Sequence, residues 1–297
     1  MAPSNPISKS TAEWGYAERK LPMTAAQIGN PPWTREEMIG ALSEFTTIYA
    51  TRPIKHNVGG MLAPHMFSTW FAMRKLQPKV IIESGVWHGQ GTWLLERACP
   101  MATIHSIDLN LSLIKYKSER AIYHNQDFAT IDWSELPLKD TVIFFDDHQN
   151  AYERLKAVAW LGFKKIFFED NYPPGRGDCY SLKMALSDAG FSPEKRTVQP
   201  VSKKSFWRKT TSIKNDGSGN PVILPNKADS AALRRNLSVY YEMPPVIRTP
   251  FTRWGDPWDD VRYPTGEPLL HEVTSPELQI YLDEAKSYTW ICYVELK

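Results

Sequence analysis

The sequence has few cysteines and no long apolar run. Its three cysteines, Cys99, Cys179 and Cys292, are odd in number and widely spaced, which fits neither a disulfide framework nor a Cys-x-x-Cys zinc site. We therefore expect a reducing compartment, the cytoplasm. No stretch approaches the roughly 18 apolar residues that cross a bilayer, and the first residues lack the apolar core of a signal peptide. We expect no membrane partner.

The sequence also lacks an excess of charge of either sign. Its 297 residues carry 35 Lys and Arg against 33 Asp and Glu, a formal charge of +2. This surplus is too small to attract phosphates over the whole surface, so we expect no nucleic-acid partner. A basic, aromatic stretch at 203–209 could stack on bases, but we favour a solvated loop.

Short apolar runs alternate with helix-length segments through the middle of the chain. The runs are KVIIES, ATIHSIDL, TVIFFDD and KKIFFED. This alternation is typical of a parallel sheet with crossover helices. Two later runs, LSVYYEMPPVI and YTWICYVELK, add strands. The prediction is an α/β fold with a Rossmann-like, doubly wound, mostly parallel sheet of about seven strands and helices on both faces.

We expect one domain over residues 34–297. Residues 1–33 are rich in Pro, Ser and Ala and contain an Asn-Pro-Pro break, so we predict an N-terminal arm. Residues 201–265 are first basic and Gly-containing and then rich in Pro and Trp, which indicates an insertion or lid. Trp254 and Trp258 in this segment could form a platform for a sugar ring, or could pack a small core of the insertion itself.

A glycine-containing loop joins the first buried strand to a helix. It reads ESGVWHGQGT, from Glu83 to Thr92. Its glycines, Gly85, Gly89 and Gly91, allow backbone N–H groups to approach a ligand at the helix N-terminus. A tight strand-to-helix turn without a ligand would use the same residues.

Acidic residues at the next strand ends complete a predicted nucleoside site. Asp108 ends the following strand, where a carboxylate can accept the hydroxyl groups of a ribose. The third strand region ends near Asp127 and Phe128, which suit the edge and the face of an adenine. We predict nine cofactor-binding residues: Glu83, Gly85, Gly89, Gly91, Thr92, Asp108, Asp127, Phe128 and Asp146.

The pattern E-x-G-x-x-x-G-x-G-T, with an acid at the next strand end, resembles motifs I and II of the class I methyltransferases. The resemblance covers residues 80–168 and implies S-adenosylmethionine as the cofactor. A Rossmann dehydrogenase would instead carry Gly-x-Gly-x-x-Gly, which the spacing of these glycines does not fit.

Two neighbouring strand ends carry clustered acids. Asp146, Asp147 and His148 end the fourth strand, and Glu169 and Asp170 end the fifth. Converging carboxylates repel one another unless a divalent cation such as Mg²⁺ neutralises them. The pairing resembles the metal-dependent sugar O-methyltransferases and the related cephalosporin-hydroxylase-like and rhamnosyl O-methyltransferase groups, which implies Asp147, Glu169 and Asp170 as metal ligands. Alternatively, Asp147 and Asp170 cap the helices that follow them.

The chain departs from that family at the general base. The family commonly reads Asp-Asp-Gly-Ser-His, which would place the base where this chain has Asn150. We predict His148 and Asp147 as catalytic residues, because an imidazole is suited to deprotonate a hydroxyl group. A loop histidine is the alternative for His148. His65 could face the substrate or lie in the core or at the surface.

The resemblance implies a metal-assisted O-methyltransferase that acts on a hydroxyl group of a sugar or small polyol, with a small molecule or glycan as acceptor. Two alternatives stay open. One is a hydroxylase of the same fold, for which the sequence lacks a convincing histidine pair. The other is a non-catalytic cofactor-binding or scaffold protein, which Asn150 would favour. A homo-oligomer also stays open.

Overall fold

The computed structural model describes residues 27–192 and 222–297. In this part of the chain, seven strands form one sheet: β1 Val80–Ser84, β2 Thr103–Ile107, β3 Ala121–His124, β4 Thr141–Phe145, β5 Lys165–Phe168, β6 Leu237–Glu242 and β7 Cys292–Leu296. Their order is β3-β2-β1-β4-β5-β7-β6. The first five strands are parallel, and β7 is antiparallel to both β5 and β6. The predicted Rossmann-like, mostly parallel α/β fold is confirmed.

Helices cover both faces of the sheet and bury two separate apolar clusters. The helices are α1 Arg35–Ala50, α2 Ala63–Leu76, α3 Gln90–Ala98, α4 Ala151–Leu161, α5 Leu182–Leu186, α6 Lys227–Asn236 and α7 Gln279–Asp283. Side chains of α1, α2, α3 and α7 contribute to one cluster, and those of α4, α5 and α6 contribute to the other. Among the described residues, no helix has the length and apolar character to cross a membrane.

Strand β4 shows why the strands read as continuous apolar runs. Val142 and Phe144 belong to one cluster, and Ile143 and Phe145 belong to the other. Successive side chains of a strand point to opposite faces, so a strand with helices on both sides needs apolar residues at every position. The polar residues that follow the run mark the end of the strand.

Residues 27–33, the described part of the predicted arm, attach to the edge of the sheet. Ile28 N–H donates to the Tyr240 carbonyl at 3.0 Å, and Tyr240 N–H donates back at 2.9 Å. Trp33 is buried in the core beside Tyr241 and Tyr293. The rest of the arm lies outside the described residues.

The predicted insertion at 201–265 has to be corrected. It contains α6 and β6, which belong to the central fold rather than to an appended lid. The change in composition that suggested an insertion falls on 202–220, outside the described residues, and on 247–260. Among the described residues, the part of this segment that lies outside the central fold therefore comes after β6.

Candidate functional site

The loop between β1 and α3 depends on its glycines. Gly85 has φ +102° and Gly89 has φ +93°, both in the left-handed region. A Cβ atom at Gly85 would collide with the Asp146 carbonyl, and one at Gly89 would collide with the Tyr116 carbonyl. At Gly91 a Cβ would collide with the Glu83 carboxylate. The loop backbone therefore packs more closely than any other residue type would allow.

Glu83 supports this loop from below. Thr92 Oγ1 donates to Glu83 Oε2 at 2.5 Å, and Ser106 Oγ donates to the same atom at 2.7 Å. Both Glu83 and Thr92 are fully buried, and burial raises the pKa of Glu83 to about 7. Glu83 Oε1 has no hydrogen-bond partner among the described residues. The structure thus places Glu83 and Thr92 behind the loop and not in contact with the crevice.

Asp108 is held at the end of β2 by backbone groups of the same loop. Val86 N–H and Trp87 N–H donate to Asp108 Oδ2 at 3.1 and 2.9 Å. Asn110 N–H donates to Asp108 Oδ1 at 2.8 Å. A carboxylate offers about four acceptor positions, so these bonds fix its orientation and leave capacity for a ribose hydroxyl.

Asp127 and Asp147 both pair with Arg154, a residue that the sequence did not single out. Arg154 donates to Asp127 through two nitrogens, at 2.8 and 2.7 Å, and its Nη2 lies 2.9 Å from Asp147 Oδ2. Ser84 Oγ donates to Asp147 Oδ2 at 2.7 Å. One sequence feature could have indicated this pairing: Arg154 lies in the first turn of a helix that follows an acidic strand end. Neither carboxylate is free of a protein partner.

The structure places the ring of Phe128, the predicted adenine face, in the core. Its ring is fully buried and contacts Trp133 and Phe145, with centroids 5.9 and 5.2 Å apart. Phe128 is thus a core residue, and only its neighbour Asp127 is partly exposed at the crevice.

The acids that the structure brings together are Asp146 and Asp170, with His148. One potential ligand atom from each lies within 4.8 Å of those from the other two. Burial raises the pKa of Asp146, and the carboxylates of Glu169 and Asp170 raise it further. Burial likewise raises the pKa of Asp170. Both carboxyl groups are therefore held where an additional positive charge would stabilise their ionised forms.

Asp170 leaves one oxygen without a hydrogen bond. Its Oδ1 accepts from the Tyr172 hydroxyl at 2.6 Å. Its Oδ2 is buried and has no hydrogen-bond partner among the described residues, although His148 Nδ1 is 3.5 Å away. A buried carboxylate oxygen of this kind fits a metal ligand.

His148 adopts a left-handed backbone conformation, with φ +52°. Its Nδ1 lies 3.0 Å from Asp178 Oδ1. The charges of Asp170, Asp178 and Asp146 outweigh the opposing effect of burial and raise the pKa of His148 to about 11. Asn150, at the position of the family's base, is the N-cap of α4, where its Oδ1 accepts from two backbone N–H groups. His148 is therefore the histidine that the structure offers at the site.

Glu169 has a partner of its own. His65 Nδ1 lies 2.6 Å from Glu169 Oε1, and both side chains are buried. Burial raises the pKa of Glu169, but His65 lowers it more strongly, to about 2. The backbone N–H of Thr289 donates to His65 Nε2 at 3.0 Å.

The predicted metal ligands Asp147, Glu169 and Asp170 do not form one group in the structure. Only Asp170 belongs to the group of three, because Asp147 is bound by Arg154 and Ser84, and Glu169 is bound by His65. Asp147 lies outside this group because consecutive side chains after a strand point in opposite directions. Asp146 and His148 therefore point to one side, and Asp147 points to the other. The capping alternative fails for Asp147 as the cap of α4, since Asn150 fills that position.

Comparisons with known proteins add a set of similar solved structures. No family model and no curated protein matches the chain. Among similar structures, CmcI in its apo form is 20% identical over 40% of this chain and 57% of that chain, with a TM-score of 0.33. The methyltransferase PaMTH1 from Podospora anserina, bound to SAH, is 14% identical over 51% of this chain and 65% of that chain, with a TM-score of 0.35.

A third similar structure is the O-methyltransferase TomG from Streptomyces achromogenes in complex with SAM. It is 16% identical over 45% of this chain and 65% of that chain, with a TM-score of 0.32. PaMTH1 and TomG belong to the class that the sequence resemblance names, the methyltransferases. At such low identities and TM-scores these alignments carry no argument about activity. The Rossmann-like fold itself rests on the strand order of this chain.

Proposed function

We propose that the protein is an S-adenosylmethionine-dependent, divalent-metal-assisted O-methyltransferase that acts on a hydroxyl group of a sugar or small polyol. The observation that supports this proposal most is that both predicted sites lie at the carboxyl ends of adjoining strands. The glycine loop and Asp108 follow β1 and β2, and the group of Asp146, His148 and Asp170 follows the adjoining β4 and β5. In open α/β sheets, ligands bind at the carboxyl ends of the strands.

The loop residues fit the proposed cofactor. The space that Cβ atoms at Gly85 and Gly89 would fill is taken by backbone, which brings the loop N–H groups close to the strand ends. Asp108 is already oriented by the loop and would accept a ribose hydroxyl. S-adenosylmethionine, when bound, supplies an electrophilic methyl group on a sulfonium.

The group of three fits a divalent cation. Asp146 and Asp170 would hold it through carboxylate oxygens, one of them without a hydrogen bond, and His148 lies beside them as the base. A bound divalent cation supplies Lewis-acid polarisation of an acceptor hydroxyl. Oxygen ligands in this number are typical of Mg²⁺ sites that leave positions for substrate.

S-adenosylmethionine would supply the methyl group to the acceptor oxygen and would leave as the thioether, so that the chain itself has to accept the hydroxyl proton. The hydroxyl proton goes to His148. Because Asp146, Asp170 and Asp178 stabilise the imidazolium form, His148 has to release its proton before it can act as the base. Arg154 holds Asp127 and Asp147 in place beside the crevice.

The two alternatives find less support. A hydroxylase with non-haem iron uses two histidines and one carboxylate, whereas the group in the described residues has one histidine and two carboxylates. A scaffold protein was favoured by Asn150, but this residue serves as a helix cap and so does not argue for the loss of a base.

The experiment that tests the proposal follows transfer of an isotopically labelled methyl group from S-adenosylmethionine to a panel of methyl glycosides and polyols, with Mg²⁺ and with a chelator. Mass spectrometry of the products detects the transfer. We expect a labelled methyl ether with Mg²⁺ and a strong loss with chelator and with Asp170→Asn. No labelled product across the panel, from protein shown to be folded, would contradict the proposal.

A further inference from the structure

A cavity of about 580 Å³ is lined by Pro173 and Pro174, which follow Tyr172, and by residues of the segment after β6 and Trp290. Its volume is in the usual range of small-molecule sites, roughly 300–1,000 Å³. Three tryptophans contribute to its wall, Trp254, Trp258 and Trp290. We call this space the tryptophan cavity. No residue of the proposed methyl-transfer chemistry lines it, so its role has to be inferred separately.

Short contacts connect the cavity to the proposed reaction site. The Tyr172 hydroxyl donates to Asp170 Oδ1 at 2.6 Å, and the Tyr172 ring contacts the Trp254 ring with centroids 6.0 Å apart. Pro173 and Pro174, which follow Tyr172 directly, form part of the cavity wall. Tyr172 therefore links the wall of the cavity to Asp170, one of the carboxylates that we assign to the metal.

The tryptophan rings are fixed in place. Trp258 Nε1 donates to the Thr249 carbonyl at 2.7 Å, and Trp290 Nε1 donates to Thr265 Oγ1 at 3.0 Å. The rings of Trp258 and Trp290 are in contact, with centroids 5.3 Å apart. The guanidinium of Arg248 lies over the Trp258 ring at 4.4 Å. Such a rigid apolar surface costs little entropy when a ligand binds to it.

The charged side chains of the wall neutralise one another. Arg176 forms an ion pair with Asp256, and Arg262 forms a two-nitrogen ion pair with Asp259. The wall thus contains two arginines and two aspartates. A ligand with a net charge would find no opposing excess charge in this cavity, so a neutral ligand fits best.

One hydroxyl group in the wall has no partner. Thr252 is 6% exposed, and its Oγ1 makes no hydrogen bond to any described residue. A buried polar atom without a partner costs free energy, which a ligand hydroxyl can recover. Aromatic rings together with hydrogen-bonding side chains match the two kinds of surface that a pyranose presents, an apolar face and a hydroxyl rim.

We propose that the tryptophan cavity is the acceptor subsite of the methyltransferase and takes one neutral pyranose ring. The apolar face of the sugar lies on Trp258, and the Thr252 hydroxyl, which is covered in the unbound protein, turns into the cavity to bond one sugar hydroxyl. The cavity thereby selects neutral glycosides over charged sugars and over flat phenols. This inference rests on the proposed function for the reaction, but the binding event can be measured without it.

The test is calorimetric titration of methyl β-D-glucopyranoside and methyl α-L-rhamnopyranoside into the full chain. Saturation-transfer NMR identifies the sugar protons in contact with the protein. We expect at least one of the two to bind and Trp258→Ala to weaken its binding about tenfold. Thr252→Val, which keeps the shape of the side chain, should weaken it roughly fivefold. Trp258→Phe, which keeps an aromatic face, should retain most of the affinity.

Trp160→Ala is the matched control, because Trp160 is 90% exposed on α4 and does not line the cavity. This variant should bind the sugar as the unmodified protein does. The proposal is overturned if neither glycoside binds, if Trp258→Ala binds as tightly as the control, or if methyl β-D-glucuronide or catechol binds more tightly than both neutral glycosides.

The two proposals can fail separately. Sugar binding that depends on Trp258, in a protein that does not bind S-adenosylhomocysteine, would preserve the subsite and remove the methyltransferase. Methyl transfer that is unchanged in Trp258→Ala would preserve the enzyme and remove the subsite.

Discussion

His65 donates a hydrogen bond to Glu169, and the direction of this bond follows from a third residue. The Thr289 backbone N–H can only donate, so His65 Nε2 accepts at 3.0 Å. Nδ1 therefore carries the proton that points at Glu169 Oε1, 2.6 Å away. His65 is thus a positioning residue, since it directs Glu169 and leaves Asp170, the next residue, to face His148.

Removal of His65 should destabilise the fold and alter its acid sensitivity. His65→Leu leaves Glu169 buried without its donor, which should cost on the order of 1–3 kcal/mol in the free energy of unfolding. The pKa of Glu169 is lowered to about 2, so its contribution to stability is present above pH 4.5 and is lost as the pH falls toward 2. Urea unfolding from pH 3 to pH 7 should show a smaller acid-dependent loss in the variant.

Ser68→Ala is the control for His65→Leu. Ser68 is buried in the same helix, and its hydroxyl donates only to the Pro64 carbonyl within that helix. If both variants show the same pH dependence as the unmodified protein, the assigned role of His65 is wrong.

Glu83→Gln should change the pH dependence of stability in the direction opposite to His65→Leu, because the pKa of Glu83 is raised and not lowered. Burial raises the pKa of Glu83 to about 7, so its protonated form is favoured in the fold, and its stabilising linkage is lost as the pH rises from 4.5 through 7. The free energy of unfolding of the variant, relative to that of the unmodified protein, should be higher at pH 8 than at pH 5 by roughly 3 kcal/mol at most. Unfolding curves measured at both values, with Glu135→Gln as the exposed control, check this. Parallel curves at the two pH values would contradict it.

The proposed ligands Asp146 and Asp170 predict different effects for substitutions at Asp170 and at Asp147. Asp170→Asn should reduce Mn²⁺ affinity about tenfold or more, because it alters the oxygen that has no hydrogen bond. Asp147→Asn should retain the affinity and weaken only the contacts with Arg154 and Ser84. Calorimetry or electron paramagnetic resonance with Mn²⁺ distinguishes them. A greater loss in Asp147→Asn would restore the ligand set that the family resemblance implies.

The cofactor loop should not tolerate a methyl group at Gly85. Gly85→Ala adds a collision with the Asp146 carbonyl to the strain of a positive φ, so we expect a loss of roughly 2 kcal/mol or more in stability and weak cofactor binding. Gly255→Ala has a similar φ of +86° but no atom within 4 Å of its Cβ. Thermal unfolding of the two variants separates the collision from the strain, and equal losses would argue against the close approach.

The sequence predicted the parallel part of the sheet because β1, β2, β4 and β5 are apolar runs followed by polar or acidic residues. It predicted the residue types at the site for the same reason, since the carboxyl ends of parallel strands meet at one edge. Side-chain direction was harder to predict. Whether Asp146 or Asp147 faces the crevice depends on where β4 ends, and a shift of one residue reverses the answer.

Long-range partners were beyond the sequence for another reason. His65 and Glu169 are 104 residues apart, and no spacing rule connects a helix residue to a distant strand end. Phe128 was assigned to the adenine face because it follows a strand, but the packing of Trp133 and Phe145 places its ring in the core. Arg154 escaped notice because its two carboxylate partners come from different strand ends.

The most direct test of the account is calorimetric titration of S-adenosylhomocysteine into the unmodified protein, Asp108→Ala and Asp132→Ala. Asp132 is the matched control, an exposed aspartate that also accepts a backbone N–H two residues ahead. We predict binding to the unmodified protein and to Asp132→Ala, with a loss of about tenfold or more in Asp108→Ala. The absence of binding to the unmodified protein, or equal binding by all three, would contradict the central claim that this loop and Asp108 hold the cofactor.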